Sequence, residues 1–284
     1  MTQATQASET LREWRNTAPF WVKHRATIRT MFTPLTEALI QEAGIREGQS
    51  VLDVAGGAGE PSLTIAERVG ASGSVTCTDA VAEMVAAAEA EGQRRHLANV
   101  AFRQCLADSL PFESDSFDAT VSRLGVMFFP DPLAGLREML RVTKPDGLIT
   151  VAVWGDDKLN PFTHVITDVV LRYVDSPTAD PDAPGAFRFA ELGKLARTLE
   201  TAGAGDVRER VFRFQIVAPI SPKGFWELRS DTSDTLRERL KRATPEQVTR
   251  IEQEVEETAR GYFPNGSMSF PAEMIIVTGR KPGA

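Results

Sequence analysis

The stretch Val51-Leu52-Asp53-Val54-Ala55-Gly56-Gly57-Ala58-Gly59-Glu60-Pro61 decides the fold of this chain. Its pattern predicts a short buried strand, a glycine-rich turn and a helix that begins near the proline, a residue that fits the first helical turn. In a doubly wound sheet such a turn lies at the carboxyl edge of the strand, where glycine lets a cofactor approach the backbone. The stretch therefore predicts a cofactor-binding α/β core.

The next strand ends in Thr78-Asp79, about 20 residues after Gly59, where an acidic side chain can accept hydrogen bonds from ribose hydroxyls. The segment 57–62 also comes within one residue of the dinucleotide fingerprint GxGxxG/A, so glycine spacing alone separates cofactor classes weakly. Charge separates them better, because Asp53 and Glu60 place two carboxylates beside the turn, where they would repel a pyrophosphate. A sulfonium and an ammonium group, as in S-adenosylmethionine, would suit those carboxylates.

Short apolar strands alternate with helices from Ser50 to Trp154, which is typical of a parallel sheet covered on both faces. Two polar or charged interruptions follow, each ending in a return to a strand. We predict an α/β fold with a Rossmann-like, doubly wound, mostly parallel seven-stranded sheet and helical cap insertions. We expect the aromatic N-terminal segment to join the interruptions in a cap over the sheet, since caps shape substrate pockets. The expected division is an N-terminal helical cap segment 1–45, an S-adenosylmethionine-binding core 46–155, a cap insertion 156–190, continued core 191–218, a helical cap insertion 219–265 and a final core strand 266–284.

Composition limits the classes of partner. Lys+Arg 32 against Asp+Glu 39 gives a net charge of −7, which argues against nucleic acid as the main partner. Cys77 and Cys105 are too few for a disulfide framework or a four-ligand zinc site, so we predict no metal. No apolar run approaches the roughly 18 residues that cross a bilayer, and the segment 1–9 lacks the apolar region of a signal peptide. We expect a cytoplasmic protein without membrane insertion.

Four ordered motifs from about Ser50 to Trp154 resemble those of class I S-adenosylmethionine-dependent methyltransferases, most closely the ubiquinone/menaquinone biosynthesis C-methyltransferase type with its methyltransferase type 11 domain. The motifs are the segment 51–59, Thr78-Asp79 followed by Met84, the segment 107–112 with 116–118, and the segment 137–147. The resemblance implies methyl transfer from S-adenosyl-L-methionine to a small-molecule acceptor by in-line displacement. Val81, Ala82 and Asp146 depart from the commoner family pattern, and Asp146 puts the conformation of its turn in question.

The resemblance also implies which residues bind the cofactor. Asp53 and the glycine backbone would line the methionine moiety, Asp79 would hold the ribose, and Asp108 would accept from the adenine amine. Met84 would contact the adenine or its helix, although plain core packing is an alternative. The implied cofactor-binding residues are Asp53, Ala55, Gly56, Gly57, Gly59, Asp79, Ala80, Met84, Asp108, Ser109 and Arg123. Ser109 could instead cap a turn.

Catalysis needs mainly the alignment of donor and acceptor, so a dedicated base is optional. If the acceptor is a carbon or oxygen acid, His24 and His164 are candidate bases, although each could be structural. Arg123 is a third candidate, since it could hold an acceptor oxygen, clamp the cofactor carboxylate or pair with a neighbouring acid. Apolar residues near the strand ends favour a phenolic or quinol-like acceptor, or another natural product.

Two other functions remain open from the sequence. The near match to GxGxxG allows an NAD(P)-dependent oxidoreductase on a Rossmann fold, and a non-catalytic S-adenosylmethionine-binding module would carry the same motifs. Methylation of DNA amino groups is disfavoured, because Ser122-Arg123-Leu124-Gly125 stands where such enzymes carry an Asp/Asn-Pro-Pro-aromatic motif. The charged segment from Thr235 to Arg260 is either solvent-facing or part of a homodimer contact.

Overall fold

The computed structural model describes residues 3–175 and 180–283, with side chains described from residue 8. Residues 176–179, within the expected cap insertion 156–190, lie outside the described residues, as do both chain ends. Seven strands form one sheet in the order β3-β2-β1-β4-β5-β7-β6. The strands are β1 Ser50–Val54, β2 Ser74–Asp79, β3 Val100–Gln104, β4 Phe117–Arg123, β5 Thr143–Trp154, β6 Gly205–Ala218 and β7 Met268–Arg280.

Strands β1 to β5 are parallel, and β7 runs antiparallel between β5 and β6. This arrangement confirms the predicted mostly parallel, seven-stranded α/β sheet. The order reverses at β1, where β2 lies on one side and β4 on the other. In doubly wound sheets a ligand binds in the crevice outside the carboxyl ends of the strands at such a reversal. The glycine-rich turn after β1 lies at that point.

Helices pack against the strands and against one another. They are α1 Gln3–Glu42, α2 Ser62–Val69, α3 Ala82–Arg94, α4 Pro132–Val142, α5 Pro161–Val170, α6 Lys194–Ala202, α7 Pro222–Thr232, α8 Asp234–Leu240 and α9 Pro245–Ala259. Local sequence sets several starts: Asp131 accepts a hydrogen bond from Ala134 N ahead of Pro132 in α4, and Thr244 forms a capping box with Gln247 in α9. The core between these layers is apolar; Leu52, for example, is fully buried.

Two strands extend beyond their most apolar segments. β7 begins at Met268, and its first half pairs with the end of β6 up to Ala218. β5 begins at Thr143, which pairs with Phe117 before a shift of register. Asp146 adopts φ 63°, so an aspartate takes the left-handed conformation in this irregular stretch.

Helix α1 is one helix of 40 residues that contacts α3 and α7 and lies beside the ends of β4 and β5 at Thr36 and Phe32. Arg25 lies 3.2 Å from Glu91 of α3, and Arg29 lies 3.5 Å from Glu60, so ion pairs join α1 to the cofactor-loop side of the core. Lys23 Nζ donates to Asp231 of α7 at 2.7 Å. α1 therefore connects the core with the later cap helices. In the described part of the chain, no helix has both the length and the apolar character needed to span a membrane.

Candidate functional site

The glycine-rich turn after β1 has a backbone conformation that leaves space beside it. Gly56 N donates to Thr78 O at 2.8 Å, which ties the turn to β2. Gly57 has φ 56° and Gly59 has φ 112°, conformations that suit glycine because a side chain is strained there. A Cβ at Gly57 would meet no heavy atom of the described residues within 4 Å. The turn therefore presents bare backbone to open space beside the strand ends.

Asp53, near the end of β1, is fully buried beneath this turn. Its Oδ2 accepts a hydrogen bond of 2.5 Å from Ser62 Oγ, whereas its buried Oδ1 has no partner among the described residues. Burial raises the pKa of Asp53 to about 7, although the hydrogen bond from Ser62 and the nearby Arg123 charge oppose that shift. A cationic donor placed at Oδ1 would satisfy this oxygen and stabilise the carboxylate.

Asp79 ends β2 and organises two loops. Its Oδ2 accepts from Gly57 N at 3.0 Å, and its Oδ1 accepts from Val81 N at 2.9 Å. Burial raises the pKa of Asp79 despite these hydrogen bonds. A carboxylate oxygen can accept more than one hydrogen bond, so Asp79 retains acceptor capacity for ligand hydroxyls. It fixes the glycine turn and could bind ribose at the same time.

β4 ends next to β1 in Ser122 and Arg123. Ser122 is fully buried and its Oγ has no partner within the described ranges. Arg123 donates to Thr36 Oγ1 of α1 at 2.6 Å and to Glu60 O at 3.1 Å, while its buried Nε remains unpaired in the described structure. Burial lowers the pKa of Arg123. Ser122 Oγ, Arg123 Nε and Asp53 Oδ1 are thus polar atoms without partners at adjacent strand ends.

Glu60 does not contribute a free carboxylate to the turn, in contrast to the expectation from sequence. Its Oε1 accepts from Arg95 at 2.7 Å and its Oε2 accepts from Thr64 at 2.7 Å. Arg29 lies 3.5 Å from the same carboxylate. Because cations and a helix hydroxyl occupy Glu60, the negative charge available beside the turn comes from Asp53.

The remaining predicted cofactor residues lie around the β2 and β3 ends. Met84 is buried against Ala18 and Val81 and touches partly buried Trp14 and Trp21, so α1 covers this side of the site. Ala80 follows Asp79, and its carbonyl accepts from Gln104 at 3.0 Å. Asp108 and Ser109 are exposed in the turn after β3. Ala55 has φ 61° and packs against the core next to Gly56.

The two candidate histidines lie in different places. His24 Nε2 is 2.7 Å from Asp231 Oδ2, so it links α1 to α7. His164 Nδ1 is 3.1 Å from Asp168, and His164 lines an open groove of about 610 Å³ beside β6 and β7 with Arg213 and Glu273. That groove contains no residue of the glycine turn. Among the described residues no cluster of three or more His, Cys, Asp or Glu side chains could hold a metal ion.

Sequence reasoning missed several residues that complete the site. Ser62 binds Asp53, Thr36 binds Arg123, and Phe32 lies under the Arg123 guanidinium at 5.7 Å. Ser62 directly follows the stretch 51–61, so its position in the sequence could have predicted that it lies close to Asp53. Thr36 and Phe32 are far from β4 along the chain, and only the path of α1 brings them to Arg123.

Comparison with known proteins places the segment that contains this site in a known family of sequences. Residues 34–164 match the model of the ubiE/COQ5 methyltransferase family. The chain is 39% identical over 124 residues to the uncharacterized protein Rv1405c of Mycobacterium tuberculosis, covering 44% of each chain. It is 40% identical over 113 residues to the ubiquinone/menaquinone biosynthesis C-methyltransferase UbiE of Cellvibrio japonicus, covering 39% of this chain and 45% of UbiE. The alignments thus span less than half the length of these curated relatives.

The fold matches that of a solved methyltransferase. Phosphoethanolamine N-methyltransferase 2 of Haemonchus contortus, in complex with S-adenosyl-L-methionine, aligns with a TM-score of 0.55 at 15% identity, over 92% of this chain and 57% of that chain. The match of residues 34–164 to this family agrees with the resemblance to S-adenosylmethionine-dependent methyltransferases that the sequence indicates.

Proposed function

We propose that this protein, whose residues 34–164 match the ubiE/COQ5 methyltransferase family, transfers a methyl group from S-adenosyl-L-methionine to a small-molecule acceptor by in-line displacement. One observation carries the proposal: Asp53 Oδ1, Ser122 Oγ and Arg123 Nε are buried without partners at the adjoining ends of β1 and β4. Buried polar atoms normally have partners, so three at one edge indicate a polar ligand. The cofactor contains the ammonium, carboxylate and hydroxyl groups that such atoms can bind.

Each residue would hold a different part of the cofactor. Asp53 Oδ1 would accept from the ammonium group, and Arg123 Nε would donate to the carboxylate. The open backbone at Gly57 leaves room for the methionine moiety. Asp79 would accept from the ribose hydroxyls and Asp108, exposed after β3, from the adenine amine. This distribution of charge fits a zwitterionic amino-acid moiety better than a pyrophosphate, since Asp53 would repel the latter.

When bound, S-adenosylmethionine supplies an electrophilic methyl group on a sulfonium. The chain's own contribution is to orient that group and the acceptor and to exclude water, because orientation alone can supply several kcal/mol of the barrier. α1 covers the site from outside, with Trp14 and Trp21 over the Met84 side and Phe32 over Arg123. We propose Arg123, His24 and His164 as candidate polar groups for the acceptor, with phenolic or quinol-like compounds as the first class to test.

The proposal extends to partners and location. The net charge of −7 disfavours nucleic acid as acceptor. Both cysteines are free thiols in the described structure, which fits a reducing, cytoplasmic location without membrane insertion. A homodimer through the charged cap helices α8 and α9 is compatible with their exposed polar faces. We also propose that the segments 46–155 and 191–218 form the core and that the insertions between and after them form the caps.

Calorimetric titration with S-adenosylhomocysteine tests the cofactor assignment. We expect micromolar or tighter binding, loss of that binding in Asp79→Ala, and no heat with NADH. Binding of NADH in place of S-adenosylhomocysteine would reject the methyltransferase proposal in favour of an oxidoreductase. A screen of acceptors, beginning with phenols and quinols, then measures the release of S-adenosylhomocysteine. Release shows an enzyme, whereas binding without release shows a non-catalytic binding module.

A further inference from the structure

Arg229 on α7 is a largely buried cation that has no carboxylate partner among the described residues. Its Nε is buried without a partner, and no described carboxylate lies within the 4.0 Å of an ion pair. The opposing charge that acts on Arg229 is Asp157, which already accepts a hydrogen bond from Thr163 Oγ1 at 2.8 Å. Burial lowers the pKa of Arg229 only to about 10, so the side chain stays positively charged at neutral pH. A buried, unpaired charge is strongly unfavourable unless something else compensates it.

The residue next to Arg229 adds a second unsatisfied group. Ser230 Oγ is buried and has no partner within the described residues. The following residue, Asp231, is fully engaged by Lys23 and His24 of α1. α7 is therefore anchored to α1 by Asp231, while the two preceding side chains carry a free cation and a free hydroxyl. An oxyanion could accept hydrogen bonds from both.

Aromatic rings connect this position to the proposed cofactor site. The Arg229 guanidinium lies 4.9 Å from the centroid of the Phe162 ring, and Phe162 stacks on Trp154 at 6.3 Å. Trp154 ends β5 and packs edge-to-face on Phe32 at 6.0 Å. Phe32 in turn lies under Arg123 at the end of β4. These buried rings, which pack against one another in the core, form a continuous aromatic wall from the strand ends to Arg229.

We infer that Arg229 and Ser230 form the anion-binding end of the acceptor site, and that the methyl acceptor is an aromatic compound bearing a carboxylate or phosphate group. This inference rests on the proposed function. The aromatic wall would contact the acceptor ring, and the guanidinium would bind its anionic group, for which a planar fork of donors is well suited. The phenolic acceptors proposed above are thereby narrowed to acidic ones.

Three probes of similar shape test this inference. 4-Hydroxybenzoate, phenyl phosphate and the uncharged 4-hydroxybenzamide are titrated into the protein with and without saturating S-adenosylhomocysteine. We expect at least one of the two anions to bind about tenfold or more tightly than the amide, the difference that a charged hydrogen bond supplies. Preference for phenyl phosphate or for 4-hydroxybenzoate identifies which anion the site accepts. Equal affinity for all three probes, or no binding of any, would overturn the inference.

Variants assign the preference to Arg229. In Arg229→Met the anion preference should fall to about twofold or less, whereas Arg172→Met, which removes an exposed cap cation paired with Glu254, should retain it. Arg229→Met should unfold at the same temperature as the wild type or higher, since it removes an uncompensated charge. If this variant does not fold, Arg229→Gln replaces it, and an anion preference that survives in the Gln variant contradicts the assignment.

The cofactor titration keeps the two proposals separable. Wild type and every variant are titrated with S-adenosylhomocysteine in parallel. Normal S-adenosylhomocysteine binding without anion preference rejects the role of Arg229 and leaves the methyltransferase proposal intact. Anion preference that depends on Arg229, without any S-adenosylhomocysteine binding, rejects the methyltransferase proposal and leaves an anion site.

Discussion

Ser62 Oγ donates to Asp53 Oδ2 at 2.5 Å, while the other oxygen of the same buried carboxylate has no partner in the described structure. Ser62 opens α2, and Asp53 lies in β1, so the hydrogen bond spans the glycine turn between them. It fixes one oxygen of Asp53 against the helix and leaves the other for a ligand. In the proposed cofactor site, Oδ2 of Asp53 therefore serves the protein structure and Oδ1 is available to the ligand.

Asp53→Asn should weaken S-adenosylhomocysteine binding by about 10- to 100-fold, because the amide cannot pair with the ammonium group as a carboxylate does. Calorimetry measures the affinity. Asp118→Asn is the control: that carboxylate binds Lys144 at 2.6 Å and Ser50 N at 2.8 Å, and Ser50 begins β1, away from its carboxyl end. Unchanged affinity in Asp53→Asn would remove Asp53 from the site.

The affinity for S-adenosylhomocysteine should rise as the pH increases from 6 to 8. Burial raises the pKa of Asp53 to about 7 in the free protein. A bound ammonium group favours the carboxylate, so binding at pH 6 must expel a proton, whereas at pH 8 the carboxylate is already ionised. The expected gain is about tenfold, with proton release visible in buffers of different ionisation enthalpy. The gain should disappear in Asp53→Asn, and a flat wild-type profile would speak against this linkage.

Gly56→Ala and Gly57→Ala should fail in different ways. A Cβ at Gly56 would lie 2.7 Å from both Asp53 Oδ2 and Cys77 Sγ, so this variant should lose about 2–3 kcal/mol of unfolding free energy. A Cβ at Gly57 enters open space at φ 56°, so its backbone strain should cost about 1 kcal/mol. Gly57→Ala should instead weaken cofactor binding, as measured by calorimetry beside chemical denaturation. Equal loss of stability in both variants would contradict this distinction.

His24→Ala and His164→Ala should differ in stability and leave cofactor affinity unchanged. His24 loses its 2.7 Å contact with Asp231 between α1 and α7, at a cost of about 1–2 kcal/mol. His164 has a partly exposed contact with Asp168 within α5, so its loss should cost about 0.5 kcal/mol or less. Denaturant unfolding measures both. If either variant abolishes methyl transfer while it folds and binds S-adenosylhomocysteine normally, that histidine acts on the acceptor.

The core of the candidate site could be predicted from residues that are close together in the sequence. Asp53, the glycines and Ser62 occur within one strand-turn-helix unit, and Asp79 ends the next strand. Parallel strands bring their carboxyl ends to one edge, so the hydrophobic pattern predicts that these residues lie together. The direction of a single side chain is not determined in this way. Glu60 belongs to the same unit, yet Arg95 and Thr64 draw its carboxylate away from the turn.

The amino-acid sequence by itself determined the α/β sheet and the glycine turn, because these depend on local conformation and on the alternation of apolar strands and helices. The cofactor class came from the resemblance of its motifs to those of methyltransferases. Only the tertiary structure decided which distant residues complete the site. Thr36 reaches Arg123 because the 40-residue α1 crosses the sheet edge, and Arg229 reaches Phe162 because α7 packs over α5 and α1. Such contacts depend on how amphipathic helices bury their apolar faces against one another, and no short-range pattern specifies that arrangement.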